Sequence, residues 1–146
     1  MSSVFTWPVR VYYEDTDAGG VVFYANYLRF FERARTEWLR AAGVSQQALS
    51  ESHGVMFIVK STAVDYHAPA KLDDELKLTV VVERLGRASV QFVQEAWRAG
   101  MQPQLLAEGR IKVGCVSTGT FRPCPMPDVV LERIKTNTSS ITKELQ

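Results

Sequence analysis

The spacing of hydrophobic and polar positions changes along the chain, and each spacing predicts an element. Residues 7–15 alternate, with Val9, Val11 and Tyr13 on one side, which predicts a strand. From Tyr24 to Ala42 the spacing becomes helical. The apolar side chains of this segment share one broad face: Tyr27, Phe30, Phe31, Ala34, Trp38, Leu39, Ala41 and Ala42. These patterns predict a strand followed by a long helix with a wide apolar face.

Shorter elements are predicted in the rest of the chain. Ser45 is expected to cap a short helix at Gln46–Ser52. Four segments are rich in β-branched and aromatic residues and predict strands: Val55–Tyr66, Glu75–Leu85, Ala88–Arg98 and Leu105–Val116. The last three are joined by short linkers, which favours an antiparallel meander. A short helix is expected at Asp128–Lys135.

The long helix must bury its apolar face, and the sheet is the surface that can cover it. The sequence therefore predicts an α+β protein in which a five-stranded antiparallel sheet wraps around a long central helix. A chain of 146 residues is the size of one domain. We assign that domain to residues 1–135 and expect residues 136–146, which are polar, to form a frayed tail.

Composition and charge restrict the partners. Seventeen Lys and Arg residues against sixteen Asp and Glu residues give a net charge of +1, unlike the basic face of a nucleic-acid-binding protein. No apolar run reaches the ~20 residues needed to span a bilayer, and the first residues do not resemble a signal peptide. We therefore expect a cytoplasmic protein. Cys115, Cys124 and the two histidines show no metal-ligand spacing, so no metal site is predicted.

The segment from Tyr13 to Tyr27 carries the candidate chemistry. Asp15 and Asp17 precede a Gly-Gly turn, and the predicted helix begins directly afterwards. Amides at a helix N-terminus can stabilise an oxyanion, and a nearby carboxylate can act as a base or nucleophile. Carboxylates before helices also serve as caps, so the local pattern by itself leaves both roles open.

The same segment resembles a known family. Tyr-x-Asp-Thr-Asp-x-x-Gly-Val-Val begins at Tyr13, Tyr-Leu and Phe-Glu-x-Ala-Arg follow on the helix, and Tyr-x-Ala-Pro-Ala-x-Leu-Asp-Asp begins at Tyr66. These motifs resemble the 4-hydroxybenzoyl-CoA thioesterase branch of the hotdog-fold enzymes, and most of all its acyl-CoA thioesterases associated with the bacterial Tol-Pal system. The resemblance extends from about Phe5 to Pro125. It implies a hotdog fold and hydrolysis of acyl-CoA to a carboxylic acid and CoA, without a metal or redox cofactor.

The resemblance also implies roles for individual residues. Asp17 matches the catalytic carboxylate, which attacks the thioester carbonyl or activates water. The backbone N–H of Tyr24 matches the amide that polarises the thioester oxygen. Gly20 is expected close to the thioester, with a plain turn as the alternative. Members of the Tol-Pal group often carry Tyr-His where this chain has Phe23 and Tyr24, which affects the expected substrate preference and not hydrolysis.

Coenzyme A carries phosphates, so cationic and hydroxyl side chains should line its route. The resemblance implies that Arg87 and Ser89 approach the nucleotide, and Lys60 is a further candidate; the alternative for each is an ordinary surface position. Family members pair sheet edges into dimers, so we expect a homo-oligomer, a tetramer with a dimer as the minimum. Acyl carrier protein is an alternative acyl donor.

Two charged residues need separate interpretations. Asp15 is expected to be solvated or paired with an arginine. Arg35 falls inside the apolar arc of the predicted helix, where a charge needs a partner, and Glu32 is the nearest candidate. A buried ion pair is one interpretation of Arg35, and orientation of Asp17 or of the substrate is the other.

Two other functions remain to be compared with hydrolysis. A non-catalytic module that binds acyl-CoA or acyl carrier protein would keep the fold but would not need Asp17. A hotdog dehydratase would place a catalytic histidine near the long helix, and residues 13–45 contain none. We therefore predict an acyl-CoA thioesterase, with the binding module as the alternative.

Overall fold

Five antiparallel strands and three helices make up the part of the chain that the computed structural model describes, residues 4–137. The elements in chain order are β1 (Phe5–Arg10), α1 (Asn26–Ala41), α2 (Gln46–His53), β2 (Val55–Tyr66), β3 (Glu75–Leu85), β4 (Ser89–Arg98), β5 (Gln104–Ser117) and α3 (Asp128–Thr136). The strands form one sheet in the order β1-β3-β4-β5-β2. The predicted meander corresponds to β3, β4 and β5, which pair in sequence. The predicted α+β class is confirmed.

Helix α1 packs on one face of this sheet. Its buried side chains are Tyr27, Phe30, Phe31, Ala34, Arg35, Trp38 and Leu39. Trp38 meets Phe92 of β4 edge to face, with ring centroids 5.4 Å apart. With 16 residues the helix is about 24 Å long, shorter than the predicted segment Tyr24–Ala42. A central helix packed against an antiparallel sheet is the hotdog arrangement that the resemblance implies.

The beginning of the chain differs from the prediction. Strand β1 ends at Arg10, and Tyr13–Asp15 forms a 3₁₀ turn. The Asp15 carboxylate accepts a hydrogen bond from the Tyr12 backbone N–H and closes this turn. Val11 is buried as predicted, but Tyr13 is 81% exposed. Strand β1 is shorter than predicted because the Tyr12 N–H donates to the Asp15 side chain and not to a neighbouring strand.

Most other predicted boundaries are accurate. Strands β2 and β3 match their predictions, and α2 ends one residue later than predicted. Strand β1 pairs only with β3, and β2 pairs only with β5 among residues 4–137, so each has a free edge there. No helix in residues 4–137 combines the length and apolar character needed to cross a bilayer. The predicted tail lies almost entirely outside the described residues.

Candidate active site

The carboxylate of Asp15 is buried and holds the entrance to helix α1. It is 5% exposed. One oxygen accepts the Tyr12 N–H at 2.8 Å, and the other accepts the Asn26 side-chain amide at 2.7 Å. Asn26 is the first residue of α1, where the helix dipole also favours an anion. The expectation that Asp15 is solvated or paired with an arginine is therefore wrong.

Asp17 lies at the tip of a tight hairpin, and it is exposed. The Gly20 N–H donates to the Asp17 carbonyl at 3.0 Å, and the Asp17 N–H donates to Val21 at 2.9 Å. One carboxylate oxygen of Asp17 accepts the Gly19 N–H at 2.8 Å. The other has no hydrogen-bond partner among residues 4–137. Asp17 is thus an oriented carboxylate with one oxygen free to react.

Gly20 closes this hairpin through its backbone conformation. Its φ of +82° is one that side chains resist, while a Cβ there would meet no atom within 4 Å. The geometry therefore supports the turn role of Gly20. Contact between Gly20 and a substrate stays a prediction.

The backbone of Tyr24 lies where the hairpin leads into α1. The Phe23 N–H donates to the Asp15 carbonyl at 3.0 Å, which keeps the hairpin and the helix entrance together. The Tyr24 N–H has no acceptor among the described residues 4–137. The helix begins at Asn26, so Tyr24 precedes it by two residues. The Tyr24 N–H is therefore an unpaired donor at the helix entrance, and its role in polarising a thioester stays a prediction.

Two tyrosines, which the sequence analysis did not select, support this backbone. The Tyr66 hydroxyl donates to the Tyr24 carbonyl at 3.0 Å, and the Tyr27 ring lies 5.4 Å from that of Tyr66. The Tyr27 hydroxyl accepts the Ala70 N–H at 3.2 Å. Burial raises the pKa of both tyrosines, so both remain neutral at neutral pH. Tyr66 begins one of the motifs that carry the resemblance, but its role was not predicted, because that role depends on contact between β2 and the helix entrance.

The residues predicted to bind CoA form a second, separate group. Ser89 lies opposite Gly114 in the β4–β5 pair. The Lys60 side chain passes over Gly114, where a Cβ would come within 2.7 Å of Lys60 Cδ. Arg87 is exposed in the loop before β4, two residues from Ser89. Lys60 is six residues from Tyr66 on β2, or about 20 Å. One chain therefore brings Lys60 and Ser89 together, but away from Asp17.

Arg35 is buried but does not pair with Glu32. Its Nη1 donates to Gln94 Oε1 at 2.9 Å, whereas Glu32 accepts the hydroxyl of Thr36 at 2.7 Å. The Gln94 side chain is fully buried and donates to the carbonyls of Phe31 and Thr79. The expected pairing with Glu32 is therefore wrong within residues 4–137, and an ion pair at a subunit contact stays a prediction. The alternation of β4 places Gln94 on the buried face, a signal that could have identified this partner.

The Asp17 carboxylate and the Tyr24 N–H are groups that can take part in the hydrolysis of an ester or thioester. An oriented carboxylate can attack a carbonyl carbon or take a proton from water. An unpaired backbone N–H can stabilise the oxyanion that forms. Within residues 4–137, no three His, Cys, Asp or Glu side chains gather as metal ligands would.

The chain is similar to known thioesterases. The model of the thioesterase-like superfamily matches residues 11–134. An acyl-CoA thioesterase YbgC from Haemophilus influenzae is 47% identical over 126 residues, which are 86% of this chain and 90% of that protein. An acyl-CoA thioester hydrolase YbgC from Escherichia coli is 43% identical over 134 residues, 92% of this chain and 98% of that protein.

A solved structure shows the same fold. A 1,4-dihydroxy-2-naphthoyl-CoA thioesterase from Synechocystis superposes with a TM-score of 0.82 at 22% identity. The match covers 97% of this chain and 100% of that one. The sheet and its central helix are therefore shared with a protein of low sequence identity.

Proposed function

Because the chain belongs to the thioesterase-like superfamily, we propose that it hydrolyses acyl-CoA thioesters to a carboxylic acid and CoA, with Asp17 as the reacting carboxylate. The relatives named as acyl-CoA thioesterases span nearly the whole chain. The exposed Asp17 carboxylate, with one oxygen that accepts no hydrogen bond from residues 4–137, carries the proposal.

Asp17 and Asp15 are distinguished by their partners. Both oxygens of Asp15 are taken by donors, and the side chain is buried, so an attack by Asp15 would dismantle the helix entrance. Asp17 can react without losing such contacts. It either attacks the thioester carbon and expels the CoA thiolate, giving a mixed anhydride that water hydrolyses, or removes a proton from a water that attacks the same carbon and displaces the thiolate. In both routes the Tyr24 N–H stabilises the carbonyl oxygen as charge develops.

The route of the CoA moiety involves a second copy of the chain. Strand β2 has a free edge, and a two-fold axis through its middle would pair it with β2 of the partner. Antiparallel pairing about that axis would place Lys60 of each protomer close to the axis, at the centre of the joined sheet. In this proposed dimer, Lys60, Arg87 and Ser89 bind the phosphates and nucleotide of CoA.

Thiol release from a panel of thioesters tests the proposal. The panel contains short, medium and long aliphatic acyl-CoAs, benzoyl-CoA, hydroxybenzoyl-CoA and acyl carrier protein thioesters. Asp17→Asn should lower kcat by about 10²–10⁴-fold, the usual contribution of a reacting acid or base. Glu14→Gln, an exposed carboxylate in the neighbouring turn, is the matched control and should retain the wild-type rate.

Three outcomes separate the interpretations. Loss of turnover in a folded Asp17→Asn protein of unchanged oligomeric state would support the proposal. Turnover that survives this substitution would contradict the role of Asp17. Binding of acyl-CoA without thiol release from any thioester would overturn hydrolysis and favour the binding module.

A further inference from the structure

Arg98, the last residue of β4, forms hydrogen bonds through all three nitrogens of its guanidinium. Nε donates to Asp74 Oδ2 at 3.0 Å, and Nη2 donates to the Pro69 carbonyl at 2.6 Å. Nη1 donates to the side chain of Gln104, the first residue of β5. The side chains of Arg98 and Asp74 are 27% and 23% exposed, so solvent screens this ion pair only in part. Arg98 therefore fastens the β2–β3 turn, residues 69–74, to one end of the sheet.

The β2–β3 turn is folded around the carboxylate of Asp74. The oxygen that accepts from Arg98 also accepts the Lys71 N–H at 2.9 Å. The Asp74 N–H donates to the Lys71 carbonyl at 3.0 Å. Asp73, in the same turn, has a φ of +72°, a left-handed conformation that favours glycine. The ion pair thus stabilises a turn whose backbone is strained at one position.

The hairpin that carries Asp17 pairs with the β2–β3 turn. The Val22 N–H of the hairpin donates to the Ala70 carbonyl of the turn at 2.8 Å, and Val21 forms a β-bridge with Lys71. The Val21 carbonyl in turn accepts the Asp17 N–H at 2.9 Å. A short series of hydrogen bonds therefore connects the guanidinium on β4, through the turn, to the backbone of Asp17.

The position of the hairpin depends on these neighbours, because the Asp17 carboxylate itself accepts only the Gly19 N–H within residues 4–137. A displacement of about 1 Å in a reacting group can lower a rate by about 10²-fold. We propose that Arg98 and Asp74 are positioning residues for hydrolysis. Their ion pair holds the β2–β3 turn, and the turn holds the hairpin so that Asp17 meets the thioester. This inference rests on the proposed role of Asp17.

The kinetics of acyl-CoA hydrolysis by Arg98→Ala test the proposal. Its kcat should fall by about 10–10²-fold because Asp17 is displaced, while KM should stay within about twofold because the groups proposed to bind CoA are unchanged. Ethylguanidinium replaces the missing group and should restore part of the lost kcat, whereas ethylammonium lacks the planar fork and should not. Arg40→Ala removes an exposed ion pair on α1 and should keep the wild-type kcat with either additive.

Asp74→Asn tests the same pair from its other side and serves if Arg98→Ala does not fold. It removes the charge with little change in side-chain volume. Its kcat should fall at nearly unchanged KM, as in Arg98→Ala. Ethylguanidinium should not restore this kcat, because the guanidinium of Arg98 is still present.

A resonance of the resting protein separates this inference from the proposed function. The Gly19 N–H donates to the Asp17 carboxylate, so its NMR signal reports the position of that carboxylate without turnover. The signal should shift in Arg98→Ala and Asp74→Asn, and ethylguanidinium should return it towards the wild-type position in Arg98→Ala only. Turnover that survives in Asp17→Asn would contradict the role of Asp17, but the Gly19 signal would still show whether the pair holds the hairpin.

Three results would overturn the positioning role. The first is a wild-type kcat in folded Arg98→Ala and Asp74→Asn, or a rise in KM without a fall in kcat. The second is an unshifted Gly19 signal in both variants, which would mean that the hairpin is held without the ion pair. The third is a fall in kcat that Arg40→Ala shares and that ethylguanidinium does not restore, which would indicate a general loss of stability.

Discussion

Asp15 and Asp17 are two residues apart but differ in every contact that their carboxylates make. Asp15 is buried and bridges the backbone of Tyr12 and the side chain of Asn26. Asp17 is exposed and accepts only the Gly19 N–H within residues 4–137. At the scale of single residues, one carboxylate therefore holds the fold and the other is available for chemistry.

Asp15→Ala should reduce the free energy of unfolding by about 1–3 kcal/mol, because it leaves the Tyr12 N–H and the Asn26 amide without their acceptor. Asp17→Ala removes an exposed side chain and should change stability by less than about 0.5 kcal/mol. Urea denaturation at one fixed protein concentration measures both. Equal losses of stability for the two variants would contradict the separate roles.

At the scale of elements, the first two helices begin in different ways. Helix α1 has Ala25 at its N-cap, without a side-chain cap, and is anchored through Asp15 and Asn26. Helix α2 has an ordinary side-chain N-cap, because the Ser45 hydroxyl accepts the Ala48 N–H at 3.3 Å. The beginning of α2 is therefore local in origin, whereas that of α1 depends on a residue eleven positions away.

Ser45→Ala should lower the free energy of unfolding by about 1 kcal/mol, because removing the capping hydroxyl leaves the Ala48 N–H without its acceptor. Ser52→Ala, an exposed position inside the same helix, is the control and should be neutral or slightly stabilising, since alanine is the better helix former. Thermal unfolding followed by circular dichroism compares the variants. A greater loss for Ser52→Ala would contradict the cap.

At the scale of the whole molecule, the long outer strand β2 is the main unpaired feature. It has 12 residues, and most of its second half is exposed in one chain. Exposed strand edges of this length are normally paired or protected. Pairing of two copies along β2 would cover this edge in both chains and join the two sheets into one.

We expect the protein to have two or four times the chain mass of 16.4 kDa in solution, as measured by light scattering. Val59→Lys, at an edge position 49% exposed, should shift it towards the monomer because charge opposes edge pairing. Val129→Lys on α3 is the control, since Val129 is 51% exposed and lies away from the edge. A monomeric wild type would contradict the proposed dimer.

Features that depend on neighbouring residues were predictable from the sequence, whereas features that depend on residues far apart in the chain were mostly not. The thioesterase family and the hotdog fold are confirmed. The strand and helix boundaries were predictable because they follow hydrophobic spacing and local caps. The partners of Asp15 and Arg35 were not predicted, because Asn26 and Gln94 reach them only in the folded chain, although the alternation of β4 does mark Gln94 as buried. The roles assigned to Asp17 and Tyr24 stay predictions.

The sequence alone determined the elements, the α+β class and the motif that identifies the family, because these depend on spacing and residue type within short segments. The tertiary structure decided which carboxylate is buried, which backbone N–H is unpaired and which residue Arg35 contacts. Those properties depend on contacts between the hairpin, α1 and the sheet. Hydrogen-bond partners that are distant in the chain leave no periodic signal, and they decide how each polar group can react.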